Sequence, residues 1–141
     1  MKQKKIAIVS FTPNGKLQAQ RIIRALEEPH MGCNWMLSHV HKPERLSEWC
    51  KSQFEQNDAI LFIGAMGIAV RTIAPYIKSK RTDPAVLVMD EHANHVISVL
   101  SGHLGGGNEL TTVLAGLLGA TPVITTASDV NSKIAIDVFA K

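Results

Sequence analysis

The sequence predicts an α/β fold in three layers, with helices on both faces of a mostly parallel β-sheet and one β-hairpin in the later half of the chain. Continuous apolar runs such as residues 59–63 alternate with segments of helical periodicity such as residues 17–26. Apolar strands without polar alternation are typical of a sheet covered on both faces, and their alternation with helices favours parallel pairing. Only residues 91–94 separate two later strand-like runs, which is too short for a crossover helix and therefore predicts the hairpin.

The individual elements follow from local patterns. A turn at residues 12–15 separates the first strand from a helix in which apolar residues repeat at helical spacing. Pro75 is expected to kink or interrupt the third helix, because proline lacks a backbone N–H. The predicted strands are 5–10, 35–40, 59–63, 85–90, 95–100 and 121–125, and the predicted helices lie within 17–26, 43–54, 68–77 and 109–118.

Composition limits the class of protein. The 141 residues, 45% of them hydrophobic, suit a single α/β domain over residues 1–141. The net charge of +3 is scattered along the chain, which argues against nucleic acid as a partner, and no apolar run is long enough to cross a membrane. Cys33 and Cys50 lack metal-type spacing and nothing resembles a signal peptide, so we expect a cytoplasmic protein.

Three polar or glycine-rich loops follow predicted strands and are the first candidates for a binding site. In open α/β sheets ligands bind beyond the carboxyl ends of the strands, so we expect the loops to converge on one crevice. The hairpin complicates this expectation, because only one of its two strands can end at that edge. The candidate substrate-binding residues are Gly64, Gly67, Arg71, Ser101, Gly102, Gly105, Gly106, Asn108, Thr125, Thr126 and Asp129.

The first of these loops carries two glycines ahead of a helix, with an arginine one turn later. Gly64, Gly67 and Arg71 could bind a carboxylate or phosphate through backbone N–H groups and a bidentate guanidinium. Alternatively, the glycines only permit a tight turn and Arg71 lies on the surface. The chain has neither a G-x-x-x-x-G-K-[ST] nor a G-x-G-x-x-G motif, so ATP and dinucleotides are not supported.

The second loop, residues 101–108, holds the main catalytic candidate. His103 could act as a general acid or base, or as a ligand to a metal carried by the substrate, although a hydrogen-bonding scaffold role is also open. Ser101 is a weak candidate nucleophile because its surroundings do not form G-x-S-x-G. Asn108 could orient a ligand, but capping the next helix is the favoured role.

Asp90 and Glu91 lie at the end of a predicted strand. They are candidate catalytic residues that would help His103 to act as a base. The nearby His92 and His95 suggest zinc, but their spacing is not that of a known zinc site, and side chains alternate between the faces of a strand. We therefore expect no protein-held metal.

Five spaced motifs between residues 64 and 129 resemble the N-terminal region of the CbiG family, the cobalt-precorrin-5A hydrolases of anaerobic cobalamin biosynthesis. They are GAMGIAVRTIAP at 64–75, K-x-x-DPAV at 80–86, DE at 90–91, SGHLGGGN at 101–108 and PVITTA-x-D at 122–129. Gly107 replaces a usual alanine, and Ala93 replaces a usual hairpin glycine. We expect the second change to transfer the positive φ of the turn to Asn94.

The resemblance implies hydrolysis of a lactone on a cobalt-bound macrocycle, with release of acetaldehyde. It implies a tetrapyrrole substrate that brings its own cobalt, no separate cofactor, and a further C-terminal domain that this chain lacks. Partners would be that domain or other enzymes of the pathway. Catalytic roles for His103, Asp90 and Glu91 are our hypothesis rather than part of the resemblance. Two alternatives stay open: a corrinoid-binding module without chemistry of its own, and a domain that binds phosphorylated metabolites.

Overall fold

The computed structural model describes residues 3–27, 35–101 and 106–126. These residues form six strands and four helices, with a short 3-10 turn after the third helix. In chain order the elements are β1 (Lys4–Ser10), α1 (Pro13–Leu26), β2 (Trp35–His41), α2 (Leu46–Gln56), β3 (Ala59–Ile63), α3 (Met66–Ile73), the 3-10 turn (Ala74–Tyr76), β4 (Ala85–Met89), β5 (His95–Leu100), α4 (Gly107–Leu118) and β6 (Thr121–Val123).

All six strands belong to one sheet, in the order β2-β1-β3-β4-β5-β6. The pairs β1–β2, β1–β3 and β3–β4 are parallel, β4–β5 is antiparallel, and β6 runs parallel to β5. We call the edge at which β1 to β4 end the carboxyl edge and the edge at which they begin the amino edge. Because β5 and β6 run the opposite way, they begin at the carboxyl edge and end at the amino edge.

Helices cover both faces of the sheet, which confirms the predicted three layers. On one face, side chains of α1 and α4 such as Ile22 and Leu114 pack on alternate residues of the central strands. On the other face, α2 and α3 contribute Cys50, Ala69 and Ile73 to a second buried cluster. Strands β3 and β4 are buried along their whole length, as expected for strands that are apolar without alternation.

The start of α1 shows how closely the chain packs at the carboxyl edge. Thr12 caps the helix, because its hydroxyl accepts a hydrogen bond from the backbone N–H of Gly15 at 3.0 Å. A Cβ at Gly15 would lie 3.3 Å from Cγ2 of Ile63. The glycine therefore lets α1 approach the end of β3 directly, at the point where the sheet order reverses.

Several predicted boundaries shift by one to four residues. Helix α4 begins at Gly107 rather than at position 109, because Gly106 adopts a left-handed φ of 80° and ends the loop earlier. Helix α3 ends at Ile73, and the 3-10 turn that contains Pro75 replaces its continuation, which confirms the predicted interruption. Strand β6 stops at Val123.

The hairpin between β4 and β5 is confirmed, but its turn differs from the expectation. Ala93, not Asn94, takes the positive φ, at 56°. The N–H of Ala93 donates to the carbonyl of Asp90 at 3.0 Å, which closes a four-residue turn, and Ala93 is buried. A glycine would meet this backbone requirement without the steric cost that a Cβ brings in the left-handed region.

Helix α4 offers a matched pair of glycine substitutions. A Cβ at Gly116, inside the helix, or at Gly119, its C-cap at φ 70°, would meet no atom within 4 Å. The effect of each substitution on stability then depends only on the backbone conformation at that position. We expect Gly116→Ala to stabilise the protein by about 0.5–1 kcal/mol, and Gly119→Ala to destabilise it by about 1–2 kcal/mol. Urea unfolding of both variants measures this, and shifts of the same sign would contradict the assignment.

Candidate functional site

The predicted site residues lie at two opposite edges of the sheet, so the expectation of a single crevice is wrong. Gly64 and Asp90 follow β3 and β4 at the carboxyl edge, whereas Ser101 follows the reversed strand β5 at the amino edge. The five residues of β4 separate these edges by about 16 Å. The start of α4 does meet the residues that follow β6, because the side-chain amide of Asn108 donates to Oγ1 of Thr126 at 2.9 Å.

Ser101 is the most strained residue of the amino edge. Its φ is 56°, in the left-handed region that residues other than glycine rarely adopt. The residue is buried, at 9% exposure, and within the described part of the chain its hydroxyl has no hydrogen-bond partner. A strained backbone and an unsatisfied buried hydroxyl are costly features that functional sites commonly retain.

The N-terminus of α4 lies beside Ser101. Gly106 caps the helix without any side-chain hydrogen bond, and the N–H of Gly107 reaches the carbonyl of Ser101 at 3.4 Å. The ammonium of Lys4 lies 3.5 Å from the place where a Cβ of Gly106 would be. Backbone N–H groups, the positive end of the helix dipole and a lysine therefore combine at this edge.

Of the roles predicted for the remaining residues of these loops, one is wrong and several stay predictions. Asn108 does not cap α4, because it lies inside the helix and its amide binds Thr126, so the favoured capping role is wrong. Thr125 is exposed after β6. The other candidates lie outside the described residues, and their predicted roles, including that of His103 as the base, stay predictions. They are Gly102, His103, Gly105 and Asp129.

At the carboxyl edge, Gly67 and Arg71 lie together as predicted. Helix α3 begins after Ala65 without a side-chain cap, and a guanidinium nitrogen of Arg71 lies 3.9 Å from the Cβ position of Gly67. Gly64 has a packing role, because a Cβ there would lie 3.1 Å from the ring of Phe11. This edge therefore also offers N–H donors and a guanidinium to an anion.

Asp90 organises the β4–β5 turn. Its carboxylate accepts hydrogen bonds from the backbone N–H groups of His92 at 3.2 Å, Asn94 at 2.9 Å and His95 at 2.7 Å. Partial burial raises the pKa of Asp90, but these backbone hydrogen bonds outweigh it, so the pKa lies below its ordinary value. Glu91 has a lesser role, since its carboxylate lies 3.6 Å from the largely exposed imidazole of His92. Both acids stand at the edge opposite Ser101.

Ser10, His39 and His41 form a polar cluster at the carboxyl edge that was not predicted from the sequence. The Ser10 hydroxyl lies 2.7 Å from Nε2 of His39 and 2.8 Å from Nδ1 of His41. Desolvation, then repulsion from His41 and Lys16, lowers the pKa of His39. The available signal was the His-x-His spacing in a predicted strand, which places both imidazoles on one face.

The described residues contain neither a group of three His, Cys, Asp or Glu metal ligands nor a membrane-spanning helix, and their one cysteine is buried. Within residues 3–27, 35–101 and 106–126, no three His, Cys, Asp or Glu residues come together as a metal-binding group. In the same ranges no helix has the length and apolar character needed to span a membrane. Burial raises the pKa of the Cys50 thiol to about 11, so this cysteine is an unreactive core residue.

Comparison with known proteins gives consistent matches. The family model described as cobalamin synthesis G N-terminal matches residues 48–129. A cobalt-precorrin-5A hydrolase of Salmonella typhimurium is 44% identical over 142 residues, covering 99% of this chain and 40% of that protein. A cobalt-precorrin-5A hydrolase of Priestia megaterium is 54% identical over 90 residues, covering 64% of this chain and 24% of that protein. This chain therefore spans two fifths or less of the length of these two relatives.

The fold is similar to that of a solved structure, a cobalamin biosynthesis protein G homolog from Sulfolobus solfataricus. The TM-score is 0.70 with 29% sequence identity, and the match covers 86% of this chain and 36% of that chain. The sheet and its flanking helices are thus the arrangement of a known structure, matched over most of this chain.

The two acids of the hairpin turn make a matched test of a structural role. We expect Asp90→Ala to lower the free energy of unfolding at pH 7 by about 1–3 kcal/mol, since three backbone donors lose their acceptor. Glu91→Ala should change it by less than about 0.5 kcal/mol. Because the folded pKa of Asp90 lies below the unfolded value of 3.8, its contribution is full above that pH. It is lost as the pH falls through the folded pKa.

Urea unfolding between pH 7 and pH 2 measures these effects. The difference between the Asp90→Ala variant and the unmodified protein should shrink only in the acid part of this range. Equal losses in the two variants at pH 7 would show that the turn does not depend on the Asp90 carboxylate.

Proposed function

This chain belongs to the cobalamin synthesis G N-terminal family, and on that premise we propose that it is the N-terminal part of a cobalt-precorrin-5A hydrolase. The observation that carries the proposal is the 44% identity that extends over 99% of the chain to a protein of that name. The proposed reaction is hydrolytic opening of a lactone on a cobalt-bound macrocycle, with loss of a two-carbon fragment as acetaldehyde.

We place the substrate at the amino edge, between the N-terminus of α4 and the start of β1. A corrin-type macrocycle carries several acetate and propionate carboxylates, and this edge presents backbone N–H groups and the Lys4 ammonium. The hydroxyl of Ser101, which has no hydrogen-bond partner among residues 3–27, 35–101 and 106–126, would gain a hydrogen bond from such a ligand. Desolvating an already buried hydroxyl costs nothing further, so this hydrogen bond favours the bound state.

Lactone opening needs a base for the attacking water and donors for the oxyanion that develops on the carbonyl oxygen. We assign the base to His103, which belongs to the loop between Ser101 and Gly106. The backbone N–H groups of the first turn of α4 that follow Gly107 are the proposed oxyanion donors, because the N–H of Gly107 itself donates to the carbonyl of Ser101. Asp90 and Glu91 are not part of this assignment, because they lie at the other edge of the sheet.

The proposal includes no resident cofactor, since the cobalt belongs to the substrate. It places the reaction in the cytoplasm, in keeping with two cysteines of which Cys50 is a free, buried thiol. The proposed partners are the tetrapyrrole and the remaining part of the relatives' length, acting as a second domain or as another enzyme of the pathway.

A second function is favoured by the coverage of the relatives. Because this chain matches 40% of one hydrolase and 24% of another, the catalytic groups could belong to the part of those proteins that it does not match. The domain would then bind the corrinoid without hydrolysing it. Both functions need a tetrapyrrole site in this domain, and they differ only in turnover.

Incubation of the purified chain with cobalt-precorrin-5A separates the two functions. The hydrolase proposal predicts binding, acetaldehyde release and a product opened at the lactone, whereas the binding module predicts binding alone. His103→Ala should lower turnover about 10²-fold or more with little change in binding, because the base acts in the transition state. His92→Ala, at the opposite edge, is the control. Failure to bind any tetrapyrrole would exclude both functions.

The two lysines that begin β1 test where the substrate binds. We expect Lys4→Met to weaken corrinoid binding about threefold to tenfold, because the ammonium beside the α4 N-terminus is lost. Lys5→Met makes the same charge change on the opposite face of the strand and should have little effect. Titration of each variant with a corrinoid, followed by absorbance at low salt, measures both constants. Equal effects would argue against the amino edge.

A further inference from the structure

The two histidines near the end of β2 converge on one point at the carboxyl edge. His39 and His41 are two positions apart on a strand, so both side chains leave the same face. Ser10 pairs with His41 in the parallel register of β1 and β2, which brings its hydroxyl onto that face. The result is two imidazole nitrogens at 2.7 and 2.8 Å from one oxygen.

A hydroxyl between two imidazoles can satisfy both of them in only one way at a time. It donates its single hydrogen to one ring nitrogen and accepts from the N–H of the other, so one neutral ring must be protonated and the other unprotonated at the nitrogen that faces the hydroxyl. Among the described residues the other nitrogens, Nδ1 of His39 and Nε2 of His41, have no hydrogen-bond partner. Neither ring is therefore held from its far side, and both can shift by a few tenths of an ångström.

That arrangement is close to the one that a metal ion requires. In a tetrahedral zinc site each ligand atom lies about 2.0–2.1 Å from the ion and therefore about 3.3 Å from the other ligand atoms. Each ring nitrogen, which lies 2.7 or 2.8 Å from the Ser10 oxygen, would have to move away from that oxygen by about 0.5 Å to admit the ion. Ser10 has no solvent exposure, which fixes the inner side of the group, whereas both histidines are half-buried and leave the outer side open to water. The open side provides a fourth coordination position.

We propose that Ser10, His39 and His41 form a binding site for a late first-row divalent metal ion, held by two imidazoles and one hydroxyl. Such ligands favour Co²⁺, Ni²⁺, Cu²⁺ and Zn²⁺ over Mg²⁺ and Ca²⁺, which prefer several carboxylate or carbonyl oxygens. The site differs from the zinc cluster considered around residues 90–103, since it lies on β1 and β2 and uses an alcohol in place of a third titratable ligand.

The charges around the site set its expected strength. The positive charge of Lys16 in α1 and the nearby His41 both repel positive charge placed at His39. The same environment keeps His39 neutral near pH 7, and a neutral ring is the form that binds a metal. A cation held by two neutral rings and a hydroxyl, with a lysine nearby, should bind at roughly micromolar strength rather than as a permanent structural ion.

The site is independent of the proposed hydrolysis. It lies at the carboxyl edge, whereas the substrate and His103 are assigned to the amino edge about 16 Å away. Metal binding can therefore be measured on the chain alone, without a tetrapyrrole, and its failure would not affect the proposed reaction.

The test is titration of the full chain, without an affinity tag, with Zn²⁺ by calorimetry and with Co²⁺ by visible absorption. One ion per chain is expected at pH 7.5. His39→Ala and His41→Ala should each abolish saturable binding, and Ser10→Ala should weaken it about tenfold or more. His92→Ala and His95→Ala are the matched controls, because these histidines lie on or beside the β4–β5 turn, and both variants should bind the metal as the unmodified chain does.

A second measurement does not depend on whether the variants fold. In the unmodified chain, substoichiometric Zn²⁺ should shift or broaden the ring NMR signals of His39 and His41 before those of the other histidines. Binding that survives the double replacement of His39 and His41, or ring signals that respond uniformly, would overturn the proposal. Absence of any one-to-one binding would also overturn it, leaving a hydrogen-bonded cluster that only satisfies the buried Ser10 hydroxyl.

Discussion

The tight turn between β4 and β5 sets the direction of β5 and therefore the edge of the sheet at which the described polar residues after it lie. Asp90 holds this turn with its carboxylate, which accepts hydrogen bonds from the backbone N–H groups of His92, Asn94 and His95. Four residues are too few for a crossover, so β5 must return antiparallel to β4. The described residues on either side of the glycine-rich loop, Ser101 and Gly106, therefore lie at the amino edge, away from the loops that leave β1 to β4.

The reversal gives the domain two edges with different chemistry. At the amino edge, an uncapped helix N-terminus, a strained serine and a lysine combine to favour anions. At the carboxyl edge, the helix α3 start and Arg71 lie with a serine and two histidines, whose nitrogens can hold a proton or a cation. One small sheet can therefore present two separate binding surfaces, because strands of opposite direction end on opposite sides.

The buried layers make such costly features tolerable. Strands β3 and β4 are fully buried, and two apolar clusters fill the space between the sheet and its helices. Burial on this scale is the main favourable contribution to folding. Against it, a positive φ at Ala93 or Ser101 costs about 1–3 kcal/mol and can persist because the surrounding structure fixes it.

The sequence by itself determined the layered α/β fold, the hairpin and the family, since these depend on apolar periodicity, on the length of one linker and on motifs read along the chain. It also indicated that Gly67 and Arg71 lie together, because they are one helical turn apart. Only the tertiary structure decided that Ser101 and the start of α4 lie at the edge opposite Asp90, that Asn108 binds Thr126, and that Ser10 contacts His39 and His41. The reason is physical: periodicity records which face of an element is buried, whereas strand direction and contacts between distant segments depend on pairing across the whole sheet.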